Sequence, residues 1–420
     1  TMRVLLVNTS ETIGGAAIAA GRLLQALVRC GVDASLLVRD RQTDAARVSA
    51  LPHPLVQRAR FAAERLQIVM ANGFTRQRLF DIDNGGLGAD ITRLPEFRRA
   101  DVVHLHWVNQ GMLSLADIGR IAASGKRVVW TMHDMWPFTG VCHHADTCTR
   151  WLEGCGRCPL LRRSGPNDLS RRTFEAKRRA YAKAPDGITF VACSNWLAGL
   201  ARRSPLLEGH RVESIPNPID TDFYSPGPRL EARRRLALPE DKLLLLFVAY
   251  KVTSPAKGID YLRDALARLA DKDPALARRL ALVAVGREAT QLAGSLAVPV
   301  CPAEYVSDPA VMADYYRAAD ALVMPTLMDN LPNTIAEAMA CATPVVGFEV
   351  GGLPQMIDHG HNGLLVRYRD AGHLADSIGR LFDREDREAM ARAARHKALA
   401  AYSEEAVAAR FVAVYSNGIV

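Results

Sequence analysis

The stretch from Ala321 to His359 constrains the fold of this chain more than any other. It contains two short apolar runs, Ala321 to Met324 and Pro344 to Phe348, separated by a polar loop and by an alanine-rich segment with helical character from about Thr334. Two buried strands joined by a helix form a parallel α/β unit. Ligands of such units bind beyond the carboxyl ends of the strands. The polar loop is therefore the first place to expect a functional site.

Residue types around this loop favour a phosphate bonded to sugars. A helix that begins near Asn333 would place unpaired backbone amides and a positive dipole end there, worth about 0.3–1 kcal/mol to an anion. Lys251 and Lys257 follow the first strand of the same half, and a charged hydrogen bond contributes about 1.5–3 kcal/mol. The carboxylates of Asp329 and Glu337 would repel a phosphate, so we expect them to accept hydrogen bonds from sugar hydroxyls. A plainer alternative is that Glu337 only supports the start of the helix.

The pattern Asp329-x7-Glu337, with NLPNTIAEAMA across it and TPVVGFEVGGLPQMI after it, resembles the Glu-x7-Glu signature of family 4 retaining glycosyltransferases. Asp329 stands in place of the usual first Glu. The stretch HDMWPFTGVCHHADTCTRWLEGCGRCP also resembles a bacterial colanic acid and exopolysaccharide biosynthesis subgroup, which carries a Cys-rich loop near the acceptor cleft. The resemblance implies a GT-B fold, which is α/β with two doubly wound Rossmann-like domains facing across a cleft.

The same resemblance implies transfer of a hexose from a UDP- or GDP-sugar to a glycan or polyprenyl-diphosphate-linked acceptor. It assigns the chemistry to His133, Lys257, Asp329 and Glu337, with Asp329 on the hexose and Glu337 on the ribose. Catalysis is expected to need no metal, because no Asp-x-Asp motif is placed to hold one. The predicted donor-binding residues are Gly14, Gly15, Lys251, Lys257, Gly286, Arg287, Val306, Asn330, Leu331, Asn333, Thr334 and Glu337.

The length of 420 residues predicts two domains. Each half contains about six strand-like apolar runs, and the proline-rich segment from Pro216 to Pro228 has the composition of a linker. We therefore predict an acceptor-binding domain over residues 1–217, with a Cys-rich insertion at 142–158. A nucleotide-sugar-binding domain would cover 218–400, and residues 401–420 would form a helix that returns to the first domain, as the GT-B resemblance implies.

Two strand-like runs of the first half end in histidine. DVVHLHW places His104 and His106 in one run, and RVVWTMH places His133 at the end of the next. Parallel strands bring such positions to one edge of the sheet, where ligands bind. The family resemblance assigns His133 to the transferred sugar. A packed structural role for His104 and His106 is an equally good interpretation.

Four of the eight cysteines, Cys142, Cys148, Cys155 and Cys158, fall within seventeen residues. Thiols stay reduced in the cytoplasm, so this clustering favours a metal over disulfides. Four thiolates would form a closed tetrahedral zinc site with a structural role. His143 or His144 could replace one of the thiolates.

The net charge of +8 suits a phosphorylated ligand or an anionic membrane, whereas no aromatic-basic motif indicates nucleic acid. Between residues 55 and 74 a helical pattern combines an apolar stripe with arginines beside it; the stripe consists of Leu55, Ala59, Ala62, Leu66, Val69 and Met70, and the arginines are Arg58, Arg60 and Arg65. The commoner explanation is a helix whose stripe packs on the core. The alternative is a helix that rests on anionic lipid.

The sequence contains no apolar run of the ~20 residues that a membrane span needs. The N-terminus also lacks the layout of a signal peptide. We therefore expect a cytoplasmic protein, with peripheral contact at the inner face of the membrane as the alternative above would require. Two rival functions remain open, namely a nucleotide-sugar epimerase of the same fold and a nucleotide-binding partner protein without activity.

Overall fold

The computed structural model describes residues 2–416, which form two compact α/β units. Unit 1 comprises residues 2–218 and 407–416, and unit 2 comprises residues 219–406. Residues 417–420, the end of the expected C-terminal segment 401–420, lie outside the described residues. Within residues 2–416, no helix combines the length and the apolar character that crossing a bilayer requires.

Unit 1 contains a seven-stranded parallel sheet in the order β3-β2-β1-β4-β5-β6-β7. All six expected strands are present, and the short strand Val48–Ala50 was missed because three residues carry no usable periodicity. The strands are β1 Arg3–Ser10, β2 Asp33–Asp40, β3 Val48–Ala50, β4 Val102–Leu105, β5 Arg127–Met132, β6 Thr189–Ala192 and β7 Arg211–Ser214. The helices are α1 Gly15–Arg29, α2 Pro54–Ala71, α3 Pro95–Arg99, α4 Leu115–Ala122, α5 Leu169–Tyr181 and α6 Asn195–Ala201.

Side chains of β1 alternate between two cores, as a strand with both faces covered requires. Val4 and Leu6 belong to a core that also contains residues of α1, together with Phe411 and Tyr415. Leu5 and Val7 belong to a core on the other face, with residues of α4, α5 and α6. Helices therefore cover both faces of the sheet, and the segment after residue 406 completes one of the two layers.

Unit 2 repeats this architecture with six parallel strands in the order β10-β9-β8-β11-β12-β13. All six expected strands of this half are present. They are β8 Leu243–Lys251, β9 Leu280–Arg287, β10 Val300–Ala303, β11 Ala321–Met324, β12 Val345–Phe348 and β13 Gly363–Val366. The helices are α7 Arg229–Arg235, α8 Ile259–Lys272, α9 Pro274–Arg279, α10 Pro309–Ala318, α11 Asn333–Ala340, α12 Leu353–Met356, α13 Ala371–Asp383 and α14 Arg387–Tyr402, and α15 Glu404–Ser416 follows.

Helix α2 contradicts the core-packed interpretation of its apolar stripe. Leu55 is 77% exposed and Leu66 is 56% exposed, whereas Arg65 is only 6% exposed. Arg65 is buried because it forms ion pairs with Asp83 and Glu64. The prediction that Arg65 lies on the solvated side of the helix was therefore wrong, and the apolar stripe faces outward.

Candidate functional site

In unit 2, two loops that follow neighbouring strands are held tightly together. A 3-10 turn, Pro255–Lys257, follows β8 and leads into α8. At Gly258, where φ is +77°, a Cβ atom would lie 1.8 Å from the carbonyl oxygen of Pro325, just after β11. Only glycine permits this approach. The amide of Leu327 also donates to the carbonyl of Ala256, at 2.9 Å.

This arrangement brings Lys257 and Asp329 into contact, although they are 72 residues apart in the sequence. The ammonium nitrogen of Lys257 lies 2.9 Å from Oδ2 of Asp329, and the side chains are 36% and 22% exposed. The amide of Gly352, in the turn after β12, lies 3.3 Å from the backbone carbonyl of Asp329. A cation and a carboxylate thus lie side by side at the carboxyl ends of the strands, in contact with solvent. Such a pair can bind an anion and a hydroxyl group together.

Helix α11 begins beside Asp329. Its first residue is Asn333 and its N-cap is Pro332, which provides no side-chain hydrogen bond to the first amides. The expected start of the helix near Asn333 is confirmed. Asn330 and the buried Leu331 lie in the loop before the helix, and Thr334 lies in its first turn. The positive end of the helix dipole therefore lies at this loop.

Glu337 lies on α11 and is 8% exposed. The hydroxyl group of Tyr316 donates to its Oε2 at 2.8 Å. A buried carboxylate with a fixed orientation can select a ligand hydroxyl group, which the plainer role of supporting a helix start would not need. Tyr316 was not among the predicted residues, because it lies on α10 rather than in the motif.

The remaining predicted donor residues of unit 2 lie at the ends of β8, β9 and β10. The ammonium of Lys251 lies 2.8 Å from Oε1 of Glu288, and hydrogen bonds from Lys251 and Thr253 lower the pKa of that carboxyl group. Lys251 therefore forms a separate ion pair, and of the two predicted lysines only Lys257 contacts Asp329. Gly286 and Arg287 end β9, and Val306 lies in the loop between β10 and α10.

In unit 1, Gly14 ends the loop between β1 and α1, and Gly15 is the first residue of α1. Gly14 is the N-cap of α1 and has φ of +94°, which favours glycine. A Cβ atom at either residue would meet no other atom within 4 Å. The backbone at the start of α1 is thus open to an approaching ligand.

Three histidines at the ends of β4 and β5 form two different arrangements. His104 bridges the hydroxyl groups of Tyr415 and Thr131 at 2.6 and 2.7 Å, so it links α15 to the sheet and is structural. His106 Nδ1 lies 3.1 Å from His133 Nε2. Burial lowers the pKa of His104 to about 3 and that of His133 to about 4. Both rings are therefore neutral at pH 7.

The neutral His133 is held from both sides. Its Nδ1 lies 3.8 Å from Sγ of Cys193, whose thiol lies 3.4 Å from the carbonyl oxygen of Met132. The contacts are satisfied together when His106 donates to His133, His133 donates to Cys193 and Cys193 donates to Met132. Cys193 was not among the predicted residues, since nothing near it in the sequence indicates contact with a histidine.

Beyond β5 lies a buried charge network that the sequence analysis also missed. His143 Nδ1 lies 2.7 Å from Asp134 Oδ2, and His143 Nε2 lies 2.8 Å from Asp83 Oδ2. Asp83 also pairs with Arg65. Burial alone would raise the pKa of Asp134, but His143, together with the Trp136 amide and the Trp107 indole, holds that pKa at about 2. Both ring nitrogens of His143 are engaged, so His143 is not available as a substitute metal ligand.

A cavity of about 580 Å³ opens on this network. Asp134 and His143 contribute polar atoms to its lining, and Trp107 and Phe80 contribute aromatic rings. Aromatic faces combined with a few fixed polar groups are typical of small-ligand sites. The full lining is Arg78, Phe80, Asp81, Trp107, Asp134, Cys142, His143, His144, Ala145, Asp146, Thr147, Cys148, Cys158, Pro159 and Leu160.

The four clustered cysteines line one smaller cavity of about 20 Å³. Lys177 is buried beside them, and its ammonium donates to the carbonyl oxygens of Gly140 and Thr139 at 2.8 and 3.1 Å. The donor chemistry suits zinc. However, nowhere in residues 2–416 are three or more His, Cys, Asp or Glu side chains arranged to hold a metal ion. The zinc site therefore stays a prediction.

Comparisons with known proteins identify the family of this chain. The family model "Glycosyltransferase Family 4" matches residues 13–223, and "Glycosyl transferases group 1" matches residues 242–384. A D-inositol 3-phosphate glycosyltransferase from Thermobispora bispora is 34% identical over 334 residues, which cover 76% of this chain and 71% of the relative. One from Geodermatophilus obscurus is 37% identical over 220 residues, so the chain spans about half of that relative, 47%.

Solved structures show the same fold over the whole chain. Sucrose-phosphate synthase from Thermosynechococcus elongatus has a TM-score of 0.66 at 20% identity, with 99% of both chains covered. Anabaena HepE in complex with UDP-glucose has a TM-score of 0.63 at 17% identity, with 99% of this chain and 100% of that chain covered. The predicted pair of Rossmann-like domains is confirmed. The match of the family 4 model over half of the chain, together with the Thermobispora relative, shows that this chain belongs to glycosyltransferase family 4.

Proposed function

We propose that the protein transfers a hexose from a nucleoside-diphosphate sugar to a glycan or polyprenyl-diphosphate-linked acceptor, with retention of the anomeric configuration. The observation that carries this proposal is the contact between Lys257 and Asp329 beside the start of α11. UDP is the first donor nucleotide to test, because HepE, which shares the fold, binds UDP-glucose. The donor-binding role falls to unit 2 and the acceptor-binding role to unit 1.

In this mechanism Lys257 exchanges Asp329 for the diphosphate when the donor binds. Asp329 is then free to accept a hydrogen bond from the hexose, and Glu337 accepts one from the ribose. As the bond to the hexose breaks, negative charge grows on the leaving diphosphate, so Lys257 and the amides of α11 stabilise the transition state more than the ground state. The acceptor attacks from the side of the leaving group, whose oxygen helps to remove its proton. His133 orients the hexose, and catalysis needs no divalent ion.

A structural zinc ion in the Cys-rich insertion forms a second part of the proposal. It is supported by the four thiols that line one small cavity. These thiols would need to move to reach tetrahedral geometry around the ion. The ion would tie the insertion together, and no catalytic step involves it. We expect elemental analysis under reducing conditions to find one zinc per chain. The double substitution Cys155→Ser with Cys158→Ser should abolish zinc binding. A folded wild-type sample without zinc would contradict this part.

Transfer assays test the function directly. The protein is incubated with UDP-glucose, UDP-galactose or GDP-mannose, a panel of polyprenyl-diphosphate-linked glycans, and a chelator. We expect a new glycosidic bond from one donor, with the anomeric configuration of the donor retained in the proton NMR spectrum. Epimerised free nucleotide sugar would instead identify an epimerase. Nucleotide binding without any product would identify a partner protein that lacks activity.

A further inference from the structure

Helix α2 presents an apolar face to the outside. Leu55, Leu66 and Met70 share one side of the helix and are 77%, 56% and 43% exposed, and Phe74, just beyond the helix, is 76% exposed. Ala59 and Ala62 are exposed between them. These residues follow helical spacing, so they form one continuous stripe. We call Leu55, Ala59, Ala62, Leu66, Met70 and Phe74 the outer face of α2.

The opposite side of α2 buries one apolar residue, Ile68, and three polar ones, Gln57, Glu64 and Arg65, whereas an ordinary surface helix buries an apolar stripe. Arg65 donates to the carbonyl oxygens of Leu79 and Ile82 and forms an ion pair with Asp83. Gln57 donates to the carbonyl oxygen of Pro52 at 2.8 Å. Because these buried contacts fix the rotation of the helix, its apolar side cannot turn inward. The outer face is therefore a fixed feature of the folded unit.

The charge around the outer face is positive. Arg58, Arg76 and Arg78 are exposed beside it. Arg162 and Arg163 are also exposed, and their amides bond to Asn72 at the end of α2. Between residues 52 and 80 the only carboxylate in the sequence is Glu64, which is buried. Arg78 pairs with the exposed Asp81 at 3.9 Å, whereas no acidic side chain from residues 52–80 offsets Arg58 or Arg76 at the surface.

We propose that the outer face of α2 docks on an anionic lipid bilayer. The apolar side chains would enter the boundary between headgroups and acyl chains, and the flanking arginines would meet the lipid phosphates. A second copy of this chain is a poorer occupant, because packing two such faces together would bring arginines against arginines. The bilayer satisfies both the apolar stripe and the charge around it.

The position of this surface deepens the proposed function, and this step rests on that function. Arg78 and Phe80 line the cavity of unit 1, and they follow Phe74, the last residue of the outer face, within six residues of the chain. The cavity and the outer face therefore belong to one region of unit 1. With α2 on the bilayer, the cavity would open near the headgroups. The acceptor class that this placement favours is the headgroup of a lipid-linked glycan.

Vesicle sedimentation tests the docking without any assay of activity. The wild-type chain is mixed with vesicles of phosphatidylcholine and phosphatidylglycerol (3:1 by design) or of phosphatidylcholine alone. We expect binding to the anionic vesicles and little to the neutral ones. Leu55→Ser with Leu66→Ser should weaken binding roughly tenfold or more, and Arg58→Glu with Arg76→Glu roughly twentyfold or more.

Matched controls come from exposed positions of unit 2. Leu230→Ser with Leu399→Ser and Arg278→Glu with Arg392→Glu change the same residue types and should bind like wild type. Wild-type protein that stays in the supernatant, or outer-face variants that bind as wild type does, would overturn the proposal. A wild-type dimer that becomes monomeric on Leu66→Ser without binding vesicles would also overturn it.

Nucleotide binding, measured on the same samples, separates the two proposals. The outer-face variants should keep the wild-type affinity for UDP, because none of the substituted residues belongs to the donor site. Vesicle binding without affinity for any nucleotide would contradict the proposed function but support membrane docking by the outer face of α2. Affinity for UDP without vesicle binding would support the proposed function but contradict membrane docking.

Discussion

The two units share a strand order but use charged side chains in opposite ways. In unit 2 the candidate site consists of partly exposed groups on loops at the strand ends, and Lys257 and Asp329 are 36% and 22% exposed. In unit 1 the corresponding edge carries a buried network, in which the side chain of Asp83 is fully buried between Arg65 and His143. The same fold therefore carries two kinds of site. In unit 2 the ion-paired groups can release each other to bind a ligand, whereas in unit 1 the charged groups are held together by burial.

This difference follows from solvation. An ion pair in contact with water is worth about 0–1 kcal/mol, so a ligand can break it at little cost. A buried pair has lost its hydration, and removal of one partner leaves an uncompensated charge. We therefore expect substitutions in the two regions to affect different properties, with stability changing in unit 1 and turnover changing in unit 2.

The largest expected effect is on the stability of unit 1. Asp83→Ala would leave Arg65 and His143 without their shared partner, so the free energy of unfolding should fall by about 3–5 kcal/mol. Asp329→Ala in unit 2 and Asp81→Ala at the surface of unit 1 should each change it by less than about 1 kcal/mol. Urea unfolding of the three variants measures this. Equal losses of unfolding free energy in all three variants would show that the two units do not differ in this way.

The next largest effect is on turnover. Lys257→Ala should lower the rate of sugar transfer by roughly 10²–10³-fold, because a preorganised donor to the leaving diphosphate is lost. The melting temperature should stay close to that of wild type. Lys272 provides the matched control, since it also forms an ion pair, 2.7 Å from Asp376, at the surface of unit 2. Lys272→Ala with the same loss as Lys257→Ala would show that the effect is not specific to the site.

A smaller loss is expected at Glu337. Glu337→Gln keeps the shape of the side chain and an oxygen for the Tyr316 hydroxyl group but removes the charge, so affinity for the donor should fall roughly tenfold to hundredfold. Isothermal titration with the nucleotide sugar measures this change. The exposed Glu385 serves as the control, and Glu385→Gln should bind as wild type does. Unchanged affinity in Glu337→Gln would restrict Glu337 to a structural role.

Counted per pH unit, the smallest effect is the response of unit 1 to pH. An unfolded histidine takes up a proton near pH 6.5, whereas burial delays this in the folded state to about pH 4 for His133 and about pH 3 for His104. The unfolded state therefore binds more protons in this window, and stability should fall as the pH drops from about 6.5 towards 4. Each histidine contributes up to about 1.4 kcal/mol per pH unit. Urea unfolding at several pH values should show a shallower slope for His133→Asn, and the slope of wild type for the exposed His361→Gln.

How far the sequence could predict this structure also differs between the units. The strands of unit 2 and the segment from Asp329 to Glu337 are local patterns, since the motif and the strand ends lie close together in the chain. The contact between Lys257 and Asp329 spans 72 residues, and it depends on the close approach at Gly258. The sequence motifs include both residues, but they contain no information on how closely the backbone at Gly258 approaches Pro325.

In unit 1 fewer of the important contacts could be predicted from the sequence. His143 bonds to Asp83, 60 residues away in the sequence, and such contacts depend on how the segments after α2 and β5 pack. The apolar stripe of α2 has the same periodicity whether it faces a core or a bilayer, so the pattern alone could not tell which side is buried.

The most direct test of the central claim is the thermal stability of the purified protein with UDP, GDP, ADP, CMP or dTDP in the presence of a chelator. We expect one nucleoside diphosphate to raise the melting temperature of wild type, and Lys257→Ala to abolish this rise. No shift with any nucleotide, or a shift that requires a divalent ion, would contradict metal-independent donor binding by unit 2.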